Sequence, residues 1–132
     1  MNEPDGAAVR ALAASSGGAS SSALCIAEVA CAFHRKQREG FLTAKQSHAI
    51  RLLFLEDIAD EVWRLLPVSE RILREVEAMT RRLPKTMPLR AGDAIHIATA
   101  RDAGFREIWT NDRHLLAAAA HFGLGARTVP SK

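Results

Sequence analysis

LRAGDAIHIATA, residues 89–100, carries the clearest structural signal in the chain. Its apolar residues recur at helical spacing, so we expect a helix over 91–103, and Gly104 supplies the residue that ends it. Glu-Ile-Trp-Thr at 107–110 follows directly and is typical of a short strand. A patterned helix that leads straight into a strand favours an α/β protein.

The same alternation extends outward in both directions. Strands are predicted at 23–26, 63–68 and 127–129, and helices at 4–13, 27–39, 43–55, 69–83 and 112–121. Helices between strands indicate an α/β fold with a mainly parallel sheet flanked by helices, in a single domain over 1–132. We expect one face of the 43–55 helix (Ala49, Leu52, Leu53, Leu55) and both tryptophans, Trp63 and Trp109, to lie in the core.

Composition sets limits on function. The 132 residues include 18 Lys and Arg against 15 Asp and Glu, so the formal charge of +3 is only a mild bias toward anionic partners. Tyr is absent and aromatics make up 5%, which argues against RNA-binding sheets that stack bases on paired rings. Cys25 and Cys31 are predicted to be buried free thiols, as in a reducing compartment. No signal peptide or membrane span is evident, so a cytoplasmic protein is expected.

Three acidic residues occur where the chain is predicted to enter a helix: Glu28, Asp93 and Asp112. In a parallel sheet such points gather at one edge, and grouped carboxylates are usually retained because a hard divalent cation binds them. Each acid also has a simpler interpretation, because Asp93 and Asp112 could be helix caps and Glu28 a solvated residue. The case for a metal site therefore depends on all three together.

IAEVA at 26–30, LRAGDAIHIATA at 89–100 and WTNDRHL at 109–115 together resemble a PIN domain. The segments occur in the family's order over nearly the whole chain, and LRAGDAIHIATA is the most specific of them. The closest resemblance is to the toxin subunits of virulence-associated-protein toxin–antitoxin pairs.

The resemblance implies an α/β/α fold and an endoribonuclease that depends on Mg²⁺ or Mn²⁺. By motif match, Glu28, Asp93 and Asp112 would be catalytic, metal-binding acids, and Thr110 and Asn111 would support them. It also implies a homodimer that a small antitoxin protein holds inactive.

One departure from the family concerns the first strand. PIN domains begin with a buried strand that ends in an Asp, whereas Met1 here falls where the first helix should begin. We expect the chain to be truncated at this end, because the other three acids are in place. The alternative is a naturally shortened and inactive relative that acts as a binding module, pairing with an antitoxin or with itself.

Four basic residues are candidates for contact with RNA phosphates: Arg35, Lys36, Arg90 and Arg113. Arg35 and Lys36 lie in a basic run on the helix after Glu28, and the other two flank the acids Asp93 and Asp112. Each has an alternative interpretation, since cations are favoured near a helix C-terminus and can simply balance nearby acids. In a third hypothesis all three acids are caps of a small α/β domain that binds no metal.

Overall fold

The computed structural model describes residues 19–109 and 113–127. Its elements alternate between strands and helices, in the order β1 (Ala19–Ser22), α1 (Cys25–Arg38), α2 (Ala44–Ala59), β2 (Trp63–Leu66), α3 (Glu70–Arg82), α4 (Ala91–Asp102), β3 (Glu107–Trp109), α5 (Arg113–His121) and β4 (Gly125–Arg127). The fold is mixed α/β, as predicted. The predicted helix over 4–13 lies outside the described residues.

The described residues divide into two compact units. One contains 19–21 and 25–65, with α1 and α2, and the other contains 22–24, 66–109 and 113–127, with α3, α4, β3, α5 and β4. The described strands form two two-stranded sheets, β1 with β2 and β3 with β4, where a single sheet was expected. The β3–β4 pair is parallel, as predicted, with Glu107 opposite Gly125 and Trp109 opposite Arg127. A single domain over 1–132 stays a prediction.

The strand predicted at 23–26 was wrong by four residues. The strand is the serine-rich stretch Ala19–Ser22, and the chain turns at Ala23 and Leu24 before α1 begins. The buried Ser22 hydroxyl accepts a hydrogen bond from the Leu24 amide at 3.1 Å, while the Ala23 amide donates to the Leu66 carbonyl at 2.8 Å. These bonds close the turn early, so Cys25 and Ile26 become helical despite their preference for strands.

The last strand was also misplaced, because β4 begins at Gly125 and not at Arg127. The predicted strand at 63–68 is confirmed over its first four residues. Residues 128 and 129 lie outside the described part of the chain.

The first unit is held together by packing between α1 and α2. Thr43 caps α2 in a reciprocal arrangement, since its hydroxyl accepts from the Gln46 amide while the Gln46 side chain accepts from the Thr43 amide. Ser47 is buried, which allows close approach, and the Arg51 guanidinium donates to the Ala30 carbonyl of α1 at 3.2 Å. Phe33 is the buried side chain of α1.

The face of α2 that was expected in the core is the exposed one. Leu52, Leu53 and Leu55 are about half exposed, and Ala49 is exposed. The covered positions follow helical spacing on the other side, at Ser47, Ile50, Arg51, Phe54 and Ile58. The leucines did not indicate the covered face because that face carries polar residues, the buried Ser47 and the Arg51 that bonds to both Ser47 and α1.

The second unit has a continuous apolar core. Its buried members come from α3, α4, α5 and the residue before β4, namely Ile72, Met79, Ile97, Ala98, Ala118, Ala119 and Leu124. Within this unit α3 packs directly against α4, and α5 packs against β4. Trp63 is half-buried, but the prediction that Trp109 lies in the core was wrong because it is 44% exposed.

Both cysteines are free, but the prediction that both are buried was wrong. Cys31 is exposed and Cys25 is half-buried in the first turn of α1. Cys31 lies two residues before the buried Phe33 and therefore points to nearly the opposite side of the helix. No described helix is long and apolar enough to cross a membrane.

Candidate active site

Asp93 lies in the first turn of α4 and is half-buried. The N-cap of this helix is Arg90, so Asp93 is not the cap, although its carboxylate still lies near the positive end of the helix dipole. Arg90 makes no side-chain capping bond. The start of α4 thus brings an acid and an exposed cation to one helix end.

Strand β3 follows the helix that carries Asp93. Helix α4 ends at Asp102, and the Gly104 turn (φ 85°) leads within a few residues into β3. The two elements are in contact, and the connection between them is short. Thr110, Asn111 and Asp112 follow β3 directly in sequence but lie outside the described residues.

Glu28 lies in the first turn of α1, in the other unit, and is exposed. Partial burial raises the pKa of the neighbouring Cys25 thiol, a hydrogen bond with Ser21 opposes that shift, and the Glu28 charge adds to it. The electrostatic effect of Glu28 therefore reaches the first turn of its own helix. The interpretation of Glu28 as a solvated residue fits its exposure.

The described residues alone do not form a metal centre. Among residues 19–109 and 113–127 no group of three or more His, Cys, Asp or Glu side chains could hold an ion. Of the three predicted ligands, Glu28 and Asp93 are described and belong to different helices, while Asp112 is not described. Carboxylate oxygens are the ligands that Mg²⁺ and Mn²⁺ prefer, so the chemistry of the predicted set suits such an ion.

The predicted cations are accessible. Arg35, Arg90 and Arg113 are exposed, and Arg113 is the first residue of α5. Lys36 is half-buried, and its ammonium lies 5.6 Å from the centre of the Phe41 ring. Sequence reasoning missed Phe41, whose ring is 71% exposed. The only signal was its place directly after Gly40, where an apolar residue is usually packed against the helix.

A family model for the PIN domain matches residues 2–121. The chain belongs to the PIN-domain family. PIN domains are generally nucleases, often in toxin–antitoxin systems, and typically use divalent metals. Searches of curated proteins and of solved structures gave no match. The mixed α/β architecture with parallel β3 and β4 agrees with the PIN family assignment.

Proposed function

We propose that this PIN domain is a metal-dependent endoribonuclease, the toxin half of a toxin–antitoxin pair, which hydrolyses RNA phosphodiesters. The observation that carries the proposal is the family match over 2–121, within which Asp93 lies in the first turn of α4. The contact between α4 and β3 supports it, since Asp112 lies three residues beyond Trp109 in sequence.

In this proposal Asp93 and Asp112 bind Mg²⁺ or Mn²⁺, and Glu28 binds the ion or orients the attacking water. A bound divalent ion activates water and neutralises charge on the leaving oxygen. Thr110 and Asn111 hold the acids in place. Arg90 and Arg113, at the starts of α4 and α5, contact the substrate phosphate.

The test is cleavage of a labelled single-stranded RNA with Mg²⁺, with Mn²⁺ and with a chelator. Asp93→Asn and Asp112→Asn should each lower the rate by more than the roughly 100-fold loss that follows removal of an outer-shell partner of a metal. Asp102→Asn is the matched control, because it makes the same change at the opposite end of α4. It should leave the rate unchanged.

A second readout does not depend on turnover. Binding of an ion to the folded state raises its stability by mass action, so Mn²⁺ should raise the melting temperature of the unaltered chain. The rise should vanish in Asp93→Asn and persist in Asp102→Asn. An absence of both metal-dependent cleavage and metal-dependent stabilisation would overturn the proposal.

Exposed leucines favour a further part of the proposal, namely association with protein partners. Leu52, Leu53 and Leu55 of α2 are each about half exposed, which is unusual for neighbouring leucines on one helix. We propose that this surface forms the homodimer, and that a cognate antitoxin binds the chain and blocks access to the acids. A chain of this kind that cuts no RNA would act as a binding module.

A further inference from the structure

The C-terminus of α1 holds Phe41 in a fixed position. Gly40 adopts the left-handed conformation (φ 84°), its amide donates to the Gln37 carbonyl at 3.1 Å, and the Phe41 amide donates to the Lys36 carbonyl at 2.9 Å. These two bonds form a Schellman motif, in which the residue after the glycine normally packs against the helix. Here that contact is between the Phe41 ring and Lys36.

Two other helices end in the same way and provide an internal comparison. At α4 the bonds run from Gly104 to Arg101 and from Phe105 to Ala100, and at α5 from Gly123 to Ala120 and from Leu124 to Ala119. The residue after the glycine is 4% exposed at Leu124, 42% at Phe105 and 71% at Phe41. The shared backbone motif therefore does not explain the exposure of Phe41.

The sequence on either side of Phe41 is strongly basic. Residues 34–48 contain four Lys or Arg side chains (Arg35, Lys36, Arg38 and Lys45) and one carboxylate, that of Glu39. This excess of three equals the net charge of the whole chain, so charges elsewhere in the sequence balance. Arg35, Arg38 and Lys45 are exposed. By contrast, Phe105 has one basic and one acidic residue on each side, Arg101 and Asp102 before it and Arg106 and Glu107 after it.

We propose that Phe41 is a stacking platform for an unpaired base of single-stranded RNA, and that Arg35, Arg38 and Lys45 contact the phosphates on either side of it. The assignment of RNA as the ligand rests on the proposed function. Single-stranded nucleic acid is recognised by combining aromatic rings with a positively charged track, and every base offers a face to stack. Bases within a duplex do not expose their faces, which excludes double-stranded RNA as the ligand.

The platform lies away from Glu28, the proposed catalytic acid on the same helix. Glu28 is in the first turn of α1 and Gly40 follows its last turn, about 18 Å further along the axis at 1.5 Å per residue. Phe41 therefore contacts a nucleotide that is not the one being cut. Its loss should raise KM and leave kcat unchanged, whereas damage to the catalytic site lowers kcat.

The experiment measures binding of fluorescein-labelled oligoadenylate and oligouridylate by anisotropy, with a chelator present to prevent cleavage. Phe41→Ala should weaken binding about tenfold, the typical effect of losing one stacked base. Phe41→Leu keeps an apolar side chain without the ring and should weaken binding similarly. Phe105→Ala is the matched control, because it truncates the equivalent position of α4 and should leave affinity unchanged.

Three further readouts separate stacking from a structural role. The unaltered chain should bind oligoadenylate more tightly than oligouridylate, since adenine stacks more strongly, and Phe41→Leu should reduce that preference. A 2-aminopurine base should lose fluorescence on binding the unaltered chain but not Phe41→Ala. Arg38→Glu should weaken binding and flatten its salt dependence. The melting temperatures of Phe41→Leu and the unaltered chain should agree closely, because the cap uses backbone bonds.

Equal binding by the Phe41 and Phe105 variants would overturn the platform while leaving the ribonuclease proposal intact. The same holds if Phe41→Ala weakens pairing with a protein and leaves RNA affinity unchanged. The platform proposal would also be overturned if the unaltered chain bound neither oligonucleotide. The cleavage and metal-stabilisation assays would then test the ribonuclease proposal separately.

Discussion

At Arg90 the chain has an arginine at a position where helices favour Ser, Thr, Asp or Asn. Thr43 and Ser69 show what the favoured residues do, since each side chain accepts a hydrogen bond from its helix. Arg90 forms no such bond, although Asp93 follows three residues later. A helix that lacks a side-chain capping bond close to an acidic residue is typical of a site where function is favoured over stability.

Substituting serine at Arg90 should therefore separate stability from binding. Arg90→Ser should raise the melting temperature by roughly 2–4 °C, because it adds a capping bond worth about 0.5–1 kcal/mol. The same change should weaken RNA binding and reduce its salt dependence, because a phosphate contact is lost. Thermal melting and anisotropy measure the two effects.

Ser69→Ala is the control for that comparison. It removes the capping bond to the Ile72 amide of α3, which is 3.3 Å long, so it should lower the melting temperature and leave RNA affinity unchanged. A drop in melting temperature for Arg90→Ser would contradict the prediction.

At the scale of the elements, an ion pair on the surface of the second unit joins α3 to α4. The Arg71 guanidinium forms a two-pronged contact with the Asp102 carboxylate, and the Nη2 to Oδ2 distance is 2.9 Å. Because it donates these hydrogen bonds and carries a positive charge, Arg71 holds the pKa of Asp102 below its ordinary value. A paired geometry of this kind fixes the relative position of the two helices.

The contribution of this pair should depend on pH in a defined direction. A carboxylate with a lowered pKa in the folded state stabilises that state above the unfolded pKa, near 4, and the stabilisation is lost as pH falls through the folded value. Asp102→Asn should thus melt below the unaltered chain at pH 6, and the gap between the two melting temperatures should narrow as the pH falls below about 4. Melting curves across this range measure the gap.

Glu77→Gln is the control for the pH-dependent melting of Asp102→Asn. Arg81 likewise lowers the pKa of Glu77, but both residues belong to α3, four apart in sequence. Its loss should affect the melting temperature less than Asp102→Asn, because no second element is released. A gap for Asp102→Asn that persists undiminished at pH 3 would mean that the ion pair is not its source.

The helices show which features of the fold could be predicted from the sequence alone. The helices around Asp93 and after Ser69 follow from periodicity, capping residues and the glycines that end them, so local chemistry was sufficient there. The covered face of α2 was missed because the apolar Leu52 and Leu53 lie on the exposed side, whereas the buried Ser47 and the Arg51 that bonds to α1 are polar. Such choices depend on the partner surface, which periodicity does not encode.

At the scale of the molecule, the sequence likewise predicts which acidic residues form the candidate site but not how they are arranged in space. Sequence order alone predicted that the acids lie where the chain enters a helix, and Glu28 and Asp93 each lie in a first helical turn. Distances between acids on separate elements are set by tertiary packing, and no pattern in the chain fixes them. Phe41 was missed for a related reason, since an aromatic residue after Gly40 is expected to pack against its helix.

The exposed leucines of α2 lead to a prediction about assembly. If Leu52, Leu53 and Leu55 form a dimer interface, Leu53→Glu should shift the chain from dimer to monomer, because an unpaired charge would be buried there. Sedimentation velocity at several concentrations measures the change. Leu73→Glu is the control, since Leu73 of α3 is similarly exposed at 47% and should leave the mass unchanged.

A monomeric unaltered chain at high concentration would contradict that prediction. Equal effects of the two glutamate variants would do the same, because they would show that any exposed leucine contributes to association.

The repeated glycine-ended helices have a consequence for how such a domain can evolve. The backbone bonds that close α1, α4 and α5 are indifferent to the side chain that follows each glycine, as Phe41, Phe105 and Leu124 illustrate. A single codon change there can therefore install or remove a surface ring without disturbing the fold. Lineages of this architecture can diverge in the nucleotides they prefer through one such position, while the acidic residues at the helix starts remain as they are.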